Sequence, residues 1–152
     1  MELPWIDEHS VGVAASPAET WAALVARPGE GRTRQQSRFA RLLGCEQTDY
    51  RGRPGMEGST SPGFRVAHAE PPRKLALEGR HRFSRYALTF RIDDAGAGRS
   101  LLRAETRAAF PGVAGQLYKT AVIRSRGHVL ATRRLLQAVA RRAEHGEADT
   151  AA

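Results

Sequence analysis

The chain has 152 residues, a formal net charge of +8 and a hydrophobic fraction of 41%. This is the size of one ordinary domain, which buries roughly 70% of its unfolded surface and needs no staple, and the composition excludes a disordered chain. A lone cysteine, Cys45, excludes an intrachain disulfide and a cysteine metal cluster, and no stretch approaches the ~20 apolar residues that span a bilayer.

The first ten residues, MELPWIDEHS, lack the basic and apolar regions of a signal peptide, so a reducing cytoplasm is expected. The first element is a short strand over residues 8–15, with Val11 and Val13 on one face at period two. Ser16-Pro17-Ala18-Glu19 reads as a capping box with proline at the first helical position. Trp21, Leu24 and Val25 supply the inward stripe of that helix, and Pro28-Gly29 ends it. A second helix is expected from Thr33 to Leu43, opened by a weaker capping box at Thr33–Gln36 and closed by Gly44. Residues 45–63 are rich in Gly, Pro and Ser, and read as a short strand near Gln47–Arg51 followed by a loop.

From Phe64 onward the pattern is an antiparallel meander. Phe64, Val66 and His68 alternate against Arg65, Ala67 and Ala69, and Pro71-Pro72 turns the chain. Leu75, Leu77, Gly79, His81 and Phe83 share the next inward face, then Tyr86, Leu88, Phe90 and Ile92. Residues 93–98 read as a hairpin loop. Leu102, Ala104, Thr106, Ala108 and Phe110 form the inward face of the last strand, opposite Arg103, Glu105 and Arg107. One apolar and one charged face make a sheet covered on one side. Pro111-Gly112 ends it, and Val113 to about Ala143 reads as one long amphipathic helix, kinked at Gly127. Such a sheet must twist and curl, and the helix laid across its concave face buries both apolar surfaces. The small inward residues Ala104, Thr106 and Ala108 leave space there. The expected fold class is α+β: a single domain over residues 1–144, with 145–152 a flexible polar tail.

This order of elements resembles the helix-grip superfamily, also called SRPBCC or START-like, which includes polyketide cyclases. The likeness is carried by residues 15–24 entering the first helix, by Phe83 to Glu105 in the meander, and by Phe110-Pro111-Gly112 running into Gly115-Gln116-Leu117-Tyr118. The last region, with residues 124–128, is similar to a branch of uncharacterised bacterial proteins. The resemblance implies a curved antiparallel sheet wrapped around a long C-terminal helix, with two short helices after the first strand. It also implies a cavity for a small apolar or polyketide-like molecule.

No hydrolase elbow, nucleotide loop or metal-spaced histidine set appears, so no cofactor or metal is expected. The candidate ligand-binding residues are the polar groups on inward faces: His68, His81, Tyr86, Thr106, Tyr118 and His128. A histidine or tyrosine in such a cavity polarises a carbonyl or moves a proton. Arg126, beside the kink, is a candidate partner for a ligand carboxylate or phosphate. Residues of this kind are more often core residues with one hydrogen bond, or solvated arginines, because periodicity sets a face and not a depth. Cys45 reads as a small hydrophobe.

The reading that asks least of the sequence is a binding or carrier domain for a small hydrophobic molecule. The alternative is a cyclase or dehydratase that positions a ketide and uses His/Tyr acid–base chemistry. The basic balance raises nucleic acid, but the arginines are spread along the chain without interleaved aromatics or a nucleic-acid motif. It leaves weak binding to anionic surfaces open.

Overall fold

The computed structural model describes residues 2–150. Strand β1 (Trp5–Val13) is followed by α1 (Pro17–Val25) and α2 (Glu30–Leu43). Then come β2 (Thr60–Ser61), β3 (Phe64–Glu70), β4 (Lys74–His81), β5 (Ser84–Gly96), β6 (Arg99–Ala109), α3 (Gly112–Arg124) and α4 (Gly127–Thr150). The six strands form one antiparallel sheet in the order β1-β6-β5-β4-β3-β2. The first strand therefore closes beside the last, and the meander fills the rest.

Local chemistry sets the element ends. Ser16 accepts from the Glu19 N–H at 3.2 Å, while Glu19 accepts from the Ser16 N–H at 2.8 Å, completing the capping box. Helix α2 begins earlier than its sequence suggests, with Gly29 as N-cap. The Thr33 hydroxyl turns back onto the Pro28 and Gly29 carbonyls instead of opening the helix. Gly44 closes α2 in the left-handed region at φ 70°. The strand expected near Gln47–Arg51 shrinks to a single bridge between Arg51 and Thr60. The β5–β6 turn is tighter than the expected loop, with Ala97 and Gly98 both at positive φ.

The largest departure is in the C-terminal third. One kinked helix was expected, but α3 and α4 are separate helices. The break falls at Ser125–Arg126, with Arg126 itself left-handed at φ 52°, and Gly127 starts α4. α4 is the long helix of the grip. It runs to Thr150 and takes in most of the expected tail 145–152, of which Ala151 and Ala152 lie outside the described residues.

Helix α4 lies along β1 in the same direction. His128 meets Asp7 near one end, and Glu144 accepts from the Ala14 N–H at 3.0 Å at the other. The spans match: sixteen helical residues rise about 24 Å and seven strand residues about 23 Å. Between them lies the core, where Leu136, Val139, Ala140 and Ala143 of α4 meet Val13, Phe90, Ile92, Leu102 and Ala104 of the sheet. Ala23, Trp21 and Leu24 of α1 complete it. Thr20 and Ser100 share a buried hydrogen bond of 2.7 Å there, and Ser100 donates onward to the Ala15 carbonyl.

At the opposite end of the sheet the filling is aromatic. Gly79 faces Tyr86 across the β4–β5 pair. The missing side chain lets the Tyr86 ring lie over it and donate its hydroxyl to the Gly63 carbonyl at 2.6 Å. A Cβ at Gly79 would stand 2.1 Å from that carbonyl oxygen and 2.4 Å from Tyr86 Cε2. Gly79→Ala is therefore expected to lower stability by about 1–3 kcal/mol in urea denaturation. A neutral result would contradict the close approach.

Candidate functional site

Seven candidate side chains came from the sequence, and the structure separates them. His81, Tyr86 and Tyr118 come together. The His81 ring lies 5.4 Å from that of Tyr86 and 5.1 Å from that of Tyr118, and Tyr118 stacks on Phe83 at 5.2 Å. Buried Gly115 permits this contact, because a Cβ there would meet the Phe110 backbone at 2.8 Å. Helix α3 thus rests on the β4–β5 turn through Gly115 and Tyr118.

His81 has little freedom for catalysis. Its Nδ1 accepts from the Phe83 N–H at 3.1 Å, so its ring proton sits on Nε2, 3.0 Å from the Ser84 hydroxyl. Both nitrogens serve the turn, and burial pushes the imidazole below its ordinary range. Burial likewise raises the phenols of Tyr86 and Tyr118 and the Cys45 thiol, whose Sγ is 3.9 Å from the Tyr86 hydroxyl.

His68 does not belong to the inward set. The β3–β4 register shifts between Val66 and His68, and this bulge turns His68 out and brings Ala69 against the core instead. His68 is exposed, with Nε2 2.6 Å from Glu70 and Nδ1 2.8 Å from Glu57. Those two carboxylates raise its imidazole pKa. Arg126 is exposed in the α3–α4 break.

Thr106 and His128 belong to a second group whose other members the sequence reading passed over. In β1, Asp7 and His9 continue the inward face of Val11 and Val13 at period two, and Asp7 stands opposite Thr106 of β6. His9 Nε2 and His128 Nε2 each lie 3.1 Å from Asp7 Oδ2. His128 Nδ1 also lies 3.4 Å from the Val122 carbonyl at the end of α3. The same carboxylate oxygen thus draws the first strand and the start of α4 together. Asp7 Oδ1 and Thr106 Oγ1 are buried without a hydrogen-bond partner among the described residues. A third such atom, Arg103 Nε, belongs to a guanidinium paired with Asp93.

A cleft is present away from the contact between sheet and α4, where the sequence placed a cavity. It encloses about 770 Å³ at the β4–β5 turn end, lined by His81, Ser84, Leu3, Pro4 and the charged Arg80, Arg82, Arg85 and Glu46. Among the described residues no group of three His, Cys, Asp or Glu side chains is placed to hold a metal. No helix there is long and apolar enough to cross a membrane.

A six-stranded antiparallel sheet gripping a long C-terminal helix is the helix-grip fold. The solved structures it resembles include norcoclaurine synthase from Thalictrum flavum, at 12% identity and a TM-score of 0.57, covering 92% of this chain and 95% of that one. A point mutant of that enzyme was solved with a transition-state analogue. CalU16 from Micromonospora echinospora aligns at 16% identity and a TM-score of 0.51, covering 97% and 94%. A conserved protein from Geobacillus kaustophilus aligns at 15% and 0.53, covering 94% and 95%. Likeness at these identities establishes the fold. No protein-family model and no curated protein matches the chain.

The two displaced imidazoles make a direct check on side-chain placement. Burial disfavours charged His81, so its share of stability is intact above about pH 6.5 and falls as the solution is acidified below it. His68 has the opposite sign: its pairing is in force below about pH 6.5 and is lost as pH rises through its raised pKa. An NMR titration should put the His81 midpoint below, and the His68 midpoint above, the ordinary imidazole value. Midpoints on the same side would contradict the placement.

Proposed function

We propose that the protein binds a small, mainly apolar molecule bearing a hydroxyl or similar group, seated on the concave face of the sheet beneath the start of α4. The observation that carries this reading is the pair of unpartnered buried atoms, Asp7 Oδ1 and Thr106 Oγ1, opposite each other on adjacent strands. Buried polar atoms left unpaired cost about 1–3 kcal/mol each. A ligand hydroxyl that donates to Asp7 and accepts from Thr106 would satisfy both. Half-buried Leu77 and Leu88, with the Tyr86 ring, offer apolar surface on the same face. The fold shared with norcoclaurine synthase, solved with a bound analogue, agrees with a small-molecule role.

A second reading has its own observation. Two imidazoles on one carboxylate oxygen form a proton-transfer group. With both Nδ1 and Nε2 facing oxygen acceptors, His128 donates from both nitrogens in its protonated form. Placed beside a bound ketide, it would deliver a proton to a carbonyl or leaving hydroxyl, as a cyclase or dehydratase requires.

Native mass spectrometry of protein purified from its own host tests the binding reading, followed by thermal shift with hydroxylated aromatic and ketide-like compounds. A specific ligand should raise Tm in proportion to the logarithm of its concentration above Kd. Thr106→Val is the informative variant. It removes an unsatisfied hydroxyl at nearly constant volume, so stability should hold or rise by about 1 kcal/mol. Affinity for the ligand should fall about fivefold or more. A variant that loses stability and keeps affinity would overturn the assignment of Thr106.

A further inference from the structure

The arginines are spread along the chain, but the net charge is not. From residue 106 to residue 143 there is no aspartate or glutamate, against eight of the 24 lysines and arginines. The rest of the chain holds 16 basic and 16 acidic residues, so this one segment carries the whole formal charge of +8. It comprises the end of β6, α3, the α3–α4 break and most of α4.

Little of that charge is used internally. Arg107 pairs with Glu105 and Glu2, and Arg142 donates to the Ala23 carbonyl. Lys119, Arg124, Arg126, Arg133, Arg134 and Arg141 are exposed and make no ion pair among the described residues.

Exposed aliphatic side chains sit among these cations. Val113 is 80% and Leu117 69% exposed. At helical spacing they continue through Thr120 to Arg124, giving α3 an outer ridge that is apolar at one end and cationic at the other. In α4, Leu130 is 51% exposed and shares its outer ridge with Arg134 and Arg141. The inner side of α3 is taken up by Gly115 and Tyr118 against Phe110 and Phe83, so these aliphatic groups are not waiting for the protein's own core.

We propose that α3 and the outer face of α4 form a docking surface for an anionic lipid bilayer, with Val113, Leu117 and Leu130 entering the headgroup boundary while the surrounding cations face lipid phosphates. Each half of the surface points to this occupant. Exposed aliphatic groups on the same helices as the cations gain nothing from a phosphodiester backbone, and the surface offers no exposed aromatic ring for base stacking among the described residues. Interfacial helices combine these two features: apolar side chains for the acyl boundary and Lys or Arg for anionic headgroups. The surface lies beside the α3–α4 break and the Tyr118–Phe83 contact, so docking would bring the β4–β5 turn end of the sheet to the bilayer. The proposal stands whether or not the concave face binds a ligand.

Vesicle flotation of the full chain tests it, comparing phosphatidylglycerol–phosphatidylcholine vesicles with pure phosphatidylcholine. Binding is expected only to the anionic vesicles, and to weaken as salt rises. Leu117→Asp and, separately, the pair Arg133→Glu with Arg134→Glu should each reduce partitioning about tenfold or more, with the circular dichroism spectrum unchanged. Lys74→Glu, outside the segment, should leave binding within about twofold. Equal binding to neutral and anionic vesicles would overturn the proposal. So would binding that ignores Leu117→Asp, which is bare charge adsorption, or duplex DNA that binds more tightly than the vesicles and is equally indifferent to that change.

Discussion

One carboxylate oxygen ties the first strand of this fold to the start of its last helix. Asp7 Oδ2 receives His9 from its own strand and His128 from the first turn of α4, both at 3.1 Å. Between this tie and the one from Glu144 to the Ala14 N–H, the contact between first strand and last helix is apolar packing, which resists separation but tolerates sliding. A hydrogen-bonded carboxylate gives the pair a register. From there α4 keeps pace with β1 until Glu144 reaches the Ala14 N–H. Bringing a carboxylate to 17% side-chain exposure costs several kcal/mol unless its oxygens are satisfied. Only one of the two is satisfied by the protein. The other, with Thr106, is the unpaired pair on which the proposed binding rests.

The two ends of the concave face have different characters. Toward Val13 and Ile92 it is closed by Leu136 and Val139 in a buried apolar cluster. Toward Asp7 and Tyr86 it is covered by the start of α4 and by α3, which touch the sheet through few residues. α3 rests on Gly115 and Tyr118, with Gln116 donating to the Phe110 carbonyl, while Val113 and Leu117 are exposed. Such a cover opens at smaller free-energy cost than the packed end. The same geometry that exposes Val113 and Leu117 therefore puts the more movable part of the structure over the polar cluster.

The fold was legible in the sequence because its strands obey period two and its first helix has unambiguous capping chemistry. What the sequence hid was local. A bulge at Val66–His68 reverses an alternation that reads cleanly on paper, and small Ala67 does not reveal which face it takes. The helix break falls on Arg126, a residue with no preference for positive φ, so neighbouring Gly127 drew attention one position late. The site was only half legible. His128 and Thr106 were found as polar residues on apolar faces. Asp7 and His9 obeyed the same rule, in phase with Val11 and Val13, but the strand was expected to begin at Glu8, which left Asp7 outside it and His9 without a partner. His81 satisfied the pattern fully and proved to be a turn residue, because pattern places a side chain without saying what its nitrogens already hold.

The measurement that bears most directly on this account is a crystal structure of the protein with a molecule that raises its Tm. A ligand polar atom is expected within hydrogen-bonding distance of Asp7 Oδ1 or Thr106 Oγ1, with the apolar body against Leu88 and Tyr86. A ligand seated only in the charged cleft at the β4–β5 turn, leaving Asp7 and Thr106 untouched, would contradict it.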